Sequence, residues 1–215
     1  MSQPTTLLVD TELDRDDAAA AAMELYLRLA ADGTISSLPF AGATGVAGQP
    51  LPLRGTDTRF EILDRRLVEE TGIAAIGLHA SGHYWRLDGQ AAEMVEGGPE
   101  NGIFCRYDGS FTIRCPQCLA PLSPGDDGSD ALEEALAVWS DSPDSAFVAC
   151  PNCSTWTPLT TWRSPGHDFA VGHFAISLHG AHLRAFTEPG NHAAMALRQR
   201  LGDLATDYTV VFSSV

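Results

Sequence analysis

Two short stretches of this chain have the residue types and spacing to hold a metal ion: Cys115-Pro-Gln-Cys118 and Cys150-Pro-Asn-Cys153. Two residues between cysteines let the backbone fold into a knuckle, so that both sulfurs and nearby N–H groups face one ion. Two knuckles complete a tetrahedron of four thiolates. Pro116 and Pro151 stiffen the start of each turn. A closed four-sulfur set leaves no open position for water or substrate, so it holds structure and does not catalyse. Cys115, Cys118, Cys150 and Cys153 are therefore the expected ligands of one structural Zn2+, and a tetrahedral sulfur set also suits iron. Redox pairs or disulfides fit less well in a chain read as cytoplasmic. The fifth cysteine, Cys105, lies in the strand-like run GIFCRYDG and reads as a buried core thiol.

Each cysteine pair follows a strand-forming run, FTIRC and AFVAC, and paired strands there would bring the knuckles together. Residues 110–158 resemble a zinc ribbon. They depart from its commonest form where Leu119 and Ser154, rather than glycines, follow the second cysteine of each pair. The resemblance implies a structural zinc, and a rubredoxin-like iron site uses similar knuckles. Zinc ribbons often bind nucleic acid. Here the linker SPGDDGSDALEEALAVWSDSPDSA carries seven carboxylates and no basic residue, which argues against a phosphate backbone. Four thiolates and one Zn2+ add −4 and +2, moving the formal charge from −15 to −17, and Arg114 beside Cys115 could soften that charge.

Histidines are the other candidates for chemistry. His79 and His83 stand four apart in HASGH, but Gly82 and the preceding β-like run predict a turn there, not a metal-binding helix. His167, His173, His179, His182 and His192 crowd the C-terminal third. On one continuous strand His173 and His179 would face the same side. GHD at 166–168 could orient an imidazole with a carboxylate, yet no G-x-S-x-G or cysteine-nucleophile signature accompanies it. Structural histidines are the expectation, with a His-dependent hydrolase or transferase as the alternative.

The elements that must position these groups can be read in outline. TTLLVD predicts a strand. LDRDDAAAAAMELYLRLAADG predicts a helix capped by Asp14, with Ala18, Ala22, Leu25 and Leu29 on one face and Gly33 at its end. The acidic cluster at its start is explained by capping and the helix dipole. Residues 34–56 lack any period and predict a long loop. Thr58 and Glu61 predict a capping box for a second helix ending at Gly72, with Phe60, Leu63 and Leu67 on its face. IAAIGLH and HYWRLDG predict strands. YDGS predicts a hairpin turn pairing 103–107 with 111–115. A short helix is expected around Ala131–Trp139. DFAVGHFAISLHG predicts one long strand, PGNHAAMALRQRLGDLA a helix capped by Asn191, and YTVVFSSV a last strand. The implied fold is α+β: a ferredoxin-like β-α-β-β-α-β sandwich over 1–109 plus 159–215, with a zinc-ribbon insertion at 110–158.

Composition narrows the function. All 13 basic residues are Arg, so a phosphate-binding loop with its Lys, a Schiff base and the protein-kinase set are excluded. The absent Lys and the heavy Ala and Gly use point to a bacterial gene of high GC content. No apolar run reaches 18 residues, so no membrane span is expected, and the acidic start MSQPTTLLVDTELDRDD lacks the features of a signal peptide. A net charge of −15 disfavours nucleic acid and permits a protein partner with a basic surface. The expected role is a small acidic cytoplasmic protein acting by protein–protein interaction, immunity-like or an adaptor for a secreted toxin, with no oligomeric state specified.

Overall fold

A computed structural model describes residues 4–41, 52–53, 58–88, 91–98, 102–105, 110–180, 192, 195, 197 and 208–214. The chain is α+β. β1 (Pro4–Asp10) leads into α1 (Arg15–Ala31), followed by β2 (Phe40–Ala41), β3 (Pro52–Leu53), β4 (Thr58–Glu61), α2 (Arg65–Thr71), β5 (Ala75–Ala80), β6 (His83–Asp88), β7 (Ala91–Glu96) and β8 (Ile103–Cys105). The cysteine region contributes β9 (Ile113–Arg114), β10 (Pro121–Leu122), α3 (Asp130–Asp141), β11 (Phe147–Ala149) and β12 (Trp156–Pro158). β13 (Phe169–Val171), β14 (Phe174–His179) and β15 (Tyr208–Ser214) complete the described elements.

The principal sheet runs β15-β1-β14-β5-β4-β2, with every neighbouring pair antiparallel. The register sets its two faces. Leu8 lies opposite Ile176, which lies opposite Leu78. These three and Phe60 are buried with Ala18, Ala22, Leu25 and Leu29 of α1. Tyr26, Phe60 and Trp85 meet edge-on or tilted at 5.0–5.2 Å between ring centres. Trp85 belongs to a separate β3-β6-β7 sheet and donates its indole N–H to Leu78 O at 2.8 Å, fixing that sheet to the principal one. On the opposite face Leu7, Val9, Ala175 and Val211 pack with Phe104 and Ala170, from the β8–β13 pair. A second core surrounds the cysteines and draws its residues from Ile103 to Val171.

Several expectations are corrected. Thr58 and Glu61 form no capping box: they bound β4, where Thr58 and Phe60 are buried and Glu61 is exposed, the period of a strand. α2 begins later, capped by Asp64, whose carboxylate accepts from Arg66 N and Leu67 N, and it ends at Gly72 with φ +74° as expected. β2 and β3 interrupt the expected loop 34–56, much of which lies outside the described residues. Most of the YDGS turn lies outside the described residues, and the expected pairing of 103–107 with 111–115 is not seen among the described ones. β8 pairs with β13 and β9 with β10, because Phe111 and Ile113 are buried in the cysteine core. The expected long strand 168–180 breaks at Gly172, whose added Cβ would lie 2.0 Å from Asp10 O, and its two halves join different sheets. Asn191, Ala194, Leu201 and Leu204 of the expected last helix lie outside the described residues. His192, Met195 and Leu197 are helical, and Leu197 is buried.

Candidate metal centre

Both cysteine pairs fold the same way. In the first, Leu119 N donates to Cys115 O (3.0 Å) and Cys115 N to Ala120 O (3.0 Å). In the second, Ser154 N donates to Cys150 O (2.8 Å) and Cys150 N to Thr155 O (3.0 Å). Leu119 and Ser154 have φ of +61° and +57°, the left-handed conformation that favours glycine. Leu119 and Ser154 thus hold these turns without being glycine. Each knuckle closes a short hairpin, β9–β10 or β11–β12. The hairpins do not pair with one another, contrary to expectation. They are joined through the shared core, where Ile113, Leu122, Val148, Trp139 and Trp162 pack with Cys115 and Cys150.

The four sulfurs all lie within 4.8 Å of one another. Cys115 Sγ is 3.8 Å from Cys153 Sγ, and Cys118 Sγ is 3.6 Å from Cys150 Sγ. Four sulfurs bound at ~2.3 Å around one tetrahedral centre lie about 3.8 Å apart, so the arrangement fits a four-thiolate ion. Backbone and amide donors point at the sulfurs: Gln117 N at Cys115 Sγ (3.4 Å) and Asn152 Nδ2 at Cys118 Sγ (3.5 Å). Their electrostatics are uneven. Burial pushes the Cys150 thiol up to about 11, whereas the Thr155 hydroxyl and N–H hold Cys153 down to about 6. Cys118 is lowered by the Ala120 N–H and the Asn152 amide. A divalent cation at the centre removes the unevenness, since it favours the thiolate at every position. Cys105 is only partly buried, at the edge of this core. Arg114 donates to Leu119 O at 3.0 Å, bracing the knuckle backbone.

α3 packs Leu132, Ala135 and Trp139 into the cysteine core and turns Asp130, Glu133 and Glu134 to solvent. Asp126 is partly spent on the preceding turn, accepting from Ser123 N at 3.1 Å.

His173 and His179 do not share the face that one continuous strand would have given them. His173 lies outside β14 and stacks on Trp139, ring centres 5.0 Å apart and 14° from parallel. His179 points elsewhere. Its Nδ1 meets Thr5 Oγ1 at 3.2 Å and its Nε2 meets Ser177 Oγ at 3.0 Å, while His79 Nε2 reaches the same hydroxyl at 2.9 Å. This chain ties β1, β14 and β5 together. Gly77 is required beside it, because an added Cβ would lie 2.3 Å from Ser177 Oγ. Burial lowers both imidazoles to about 4, helped at His179 by Arg59 and His79, so both are neutral at pH 7. Ser177 is 2% exposed, and the two imidazoles use its hydroxyl. The arrangement satisfies buried polar groups and is not an open catalytic site. His83 opens β6, and its Nδ1 lies 2.9 Å from Ser81 O; Ser81 and Gly82 form the expected turn. His167 has φ +54°, and its neighbour Asp168 accepts from the Ser164 hydroxyl. His182 lies outside the described residues.

Sequence reasoning missed Ser177 and Thr5, because the contacts that give them their role, to His79 and His179, join residues 98 and 174 apart. It also missed the outer face of β11–β12, for which a signal was present. Phe147, Ala149, Trp156 and Pro158 alternate with Val148 and Thr157, so β11 is apolar on both faces and β12 on its outer one. No helix among the described residues is long and apolar enough to cross a membrane. No protein-family profile matches the chain, and comparison with curated proteins and with solved structures found no match.

Proposed function

We propose that Cys115, Cys118, Cys150 and Cys153 bind one structural Zn2+, and that the protein acts by binding another protein that presents a basic surface. The convergence of four sulfurs at the spacing of a tetrahedral ion carries the first part. Zinc bound there would cross-link the two knuckles; this chain's own residues supply all four positions, which leaves none for substrate. Metal analysis of the purified protein is expected to give about one equivalent of zinc, lost in Cys150→Ser. Tight zinc retention in a variant lacking both Cys150 and Cys153 would sink the assignment.

The second part is supported by the solvent-facing carboxylates of α3, set within a net charge of −15. Charge of one sign steers association with an oppositely charged partner and is screened by salt. An immunity-like or adaptor role in a bacterial cytoplasm fits such a protein, by analogy with small acidic proteins without a catalytic set. The β15-β1-β14-β5 strand order, with α1 crossing between β1 and β5, supports reading the principal sheet as ferredoxin-like and residues 110–158 as its insertion. The test is capture of a partner from the native host, followed by association kinetics. The on-rate is expected to fall markedly between low salt and about 0.5 M, where the Debye length is a few ångström. An on-rate indifferent to salt contradicts this reading.

A further inference from the structure

The two knuckle hairpins treat their outer faces differently. In β9–β10, Ile113 and Leu122 are buried inside, and Arg114 pairs with Pro121 outside. In β11–β12, Val148 and Thr157 are buried inside, and the outer face is Phe147, Ala149, Trp156 and Pro158. Phe147 is 41% exposed and Trp156 68%. A solvated hairpin face is ordinarily polar, and nothing in the knuckle geometry requires aromatic residues there.

Phe147 and Pro158 also form one wall of a cavity of about 590 Å³, opening between this hairpin and the start of α1. That volume lies within the usual range of binding pockets. Trp139 and His173, stacked on each other, line it as well. The remaining walls carry charge: Glu12 before α1, its cap Asp14, Asp16 in its first turn, and Asp144 from the turn before β11, with the Arg15 guanidinium among them. Capping explains Asp14, which accepts from Asp17 N at 3.0 Å, and the helix dipole favours Asp16. Neither explains Asp144, which belongs to another segment, or the exposed Phe147 at the same opening.

Aromatic walls beside carboxylates are what an arginine side chain requires. Its guanidinium stacks on aromatic faces and takes carboxylates through its planar fork, while its methylene stem lies on apolar surface. We propose that this cavity and the outer face of β11–β12 form the docking surface, and that they receive an arginine side chain of the basic partner. This deepens the binding reading above and rests on it. Phe147 and Pro158 hold the stem, the carboxylates meet the guanidinium, and Trp156 covers the flanking residues of the partner.

The test uses the zinc-loaded full chain, ¹⁵N-labelled, titrated with Nα-acetyl-arginine methylamide and with its neutral citrulline counterpart. Saturable shifts are expected at the Trp139 and Trp156 indole N–H groups and at the Phe147 and Asp144 amides. Citrulline and the Asp144→Asn variant are expected to weaken them by about tenfold. Phe147→Thr is expected to weaken them similarly. Phe147 lies on the outer face, so that variant keeps its zinc, which is checked by metal analysis. Shifts confined to Asp130, Glu133 and Glu134, or no saturable shift, overturn the proposal. With the captured partner the two ideas separate. Binding that ignores Phe147→Thr and Trp156→Thr but weakens when the α3 carboxylates are neutralised ends this proposal and leaves the binding reading standing. Binding indifferent to salt and to every one of these changes ends both.

Discussion

Against α1 the principal sheet buries Phe60, Leu8, Ile176 and Leu78, side chains that need no other agent to hold them together. Around the knuckles the cysteines are themselves core residues. Cys115 and Cys150 are fully or almost fully buried beside Ile113, Val148 and Trp162. The first core draws its stability from apolar area, which a sheet covered by a 17-residue helix can supply. The second is a few two- and three-residue strands and one helix, and small units of this kind usually need a metal or a cross-link. The difference sets up a test: if the two cores have separate determinants of stability, each can be perturbed without the other.

The largest expected effect comes from removing the metal. Structural zinc binding is worth on the order of 10 kcal/mol in small modules, so Cys150→Ser or a strong chelator is expected to unfold the cysteine core. The indole N–H signals of Trp139 and Trp162 would then collapse toward random-coil positions while that of Trp85, in the sheet core, keeps its shift. Loss of all three together would show that the cores are not separable.

A smaller effect, confined to the sheet, is expected from acid. His79 and His179 are neutral in the fold and held at about 4, against 6.5 in the unfolded chain. The unfolded state therefore binds more protons between those values. Stability contributed by the neutral pair is fully present above pH 6.5 and is lost as pH falls toward 4, by up to about 3 kcal/mol for each imidazole. Denaturant unfolding followed at Trp85 between pH 7.5 and 5 measures it. A His79→Gln, His179→Asn double variant is expected to show a flatter profile, and an equally steep one would remove these histidines as the cause.

The smallest effect sharpens the cysteine side. Leu119 and Ser154 hold left-handed backbone without being glycine. Leu119→Gly and Ser154→Gly are each expected to stabilise the knuckle by roughly 0.5–1 kcal/mol, the left-handed penalty less the added freedom of glycine when unfolded. Thermal unfolding of the zinc-loaded protein measures this, and a loss of stability in both would show that the side chains hold the turn.

What the sequence displayed, it displayed where a local pattern has one structural answer. Paired C-P-x-C steps have one good geometry, and the four sulfurs converge. Asp14 caps α1, and Gly72 closes α2, because those positions answer to bonds within a few residues. What stayed hidden depends on distant partners. Thr58 and Glu61 fit a capping box until β5 offers its edge to Phe60 and Glu61. The run from Phe169 to His179 has the composition of one strand, and only the approach of Asp10 to Gly172 divides it. Ser177 shows its role only when His79, on β5, comes to share its hydroxyl with His179.

The β8–β13 pair has a consequence for how the chain assembles. Cys105 lies opposite Phe169, so about 60 residues must be looped before this neck can close. A zinc ion joining Cys115 to Cys153 shortens the free path to less than half. Each halving of a flexible loop is worth about 0.6 kcal/mol, roughly a threefold gain in the rate at which its ends meet. Metal captured early would thus act as a folding accelerant for the neck, and through Phe104 and Ala170 for the underside of the principal sheet.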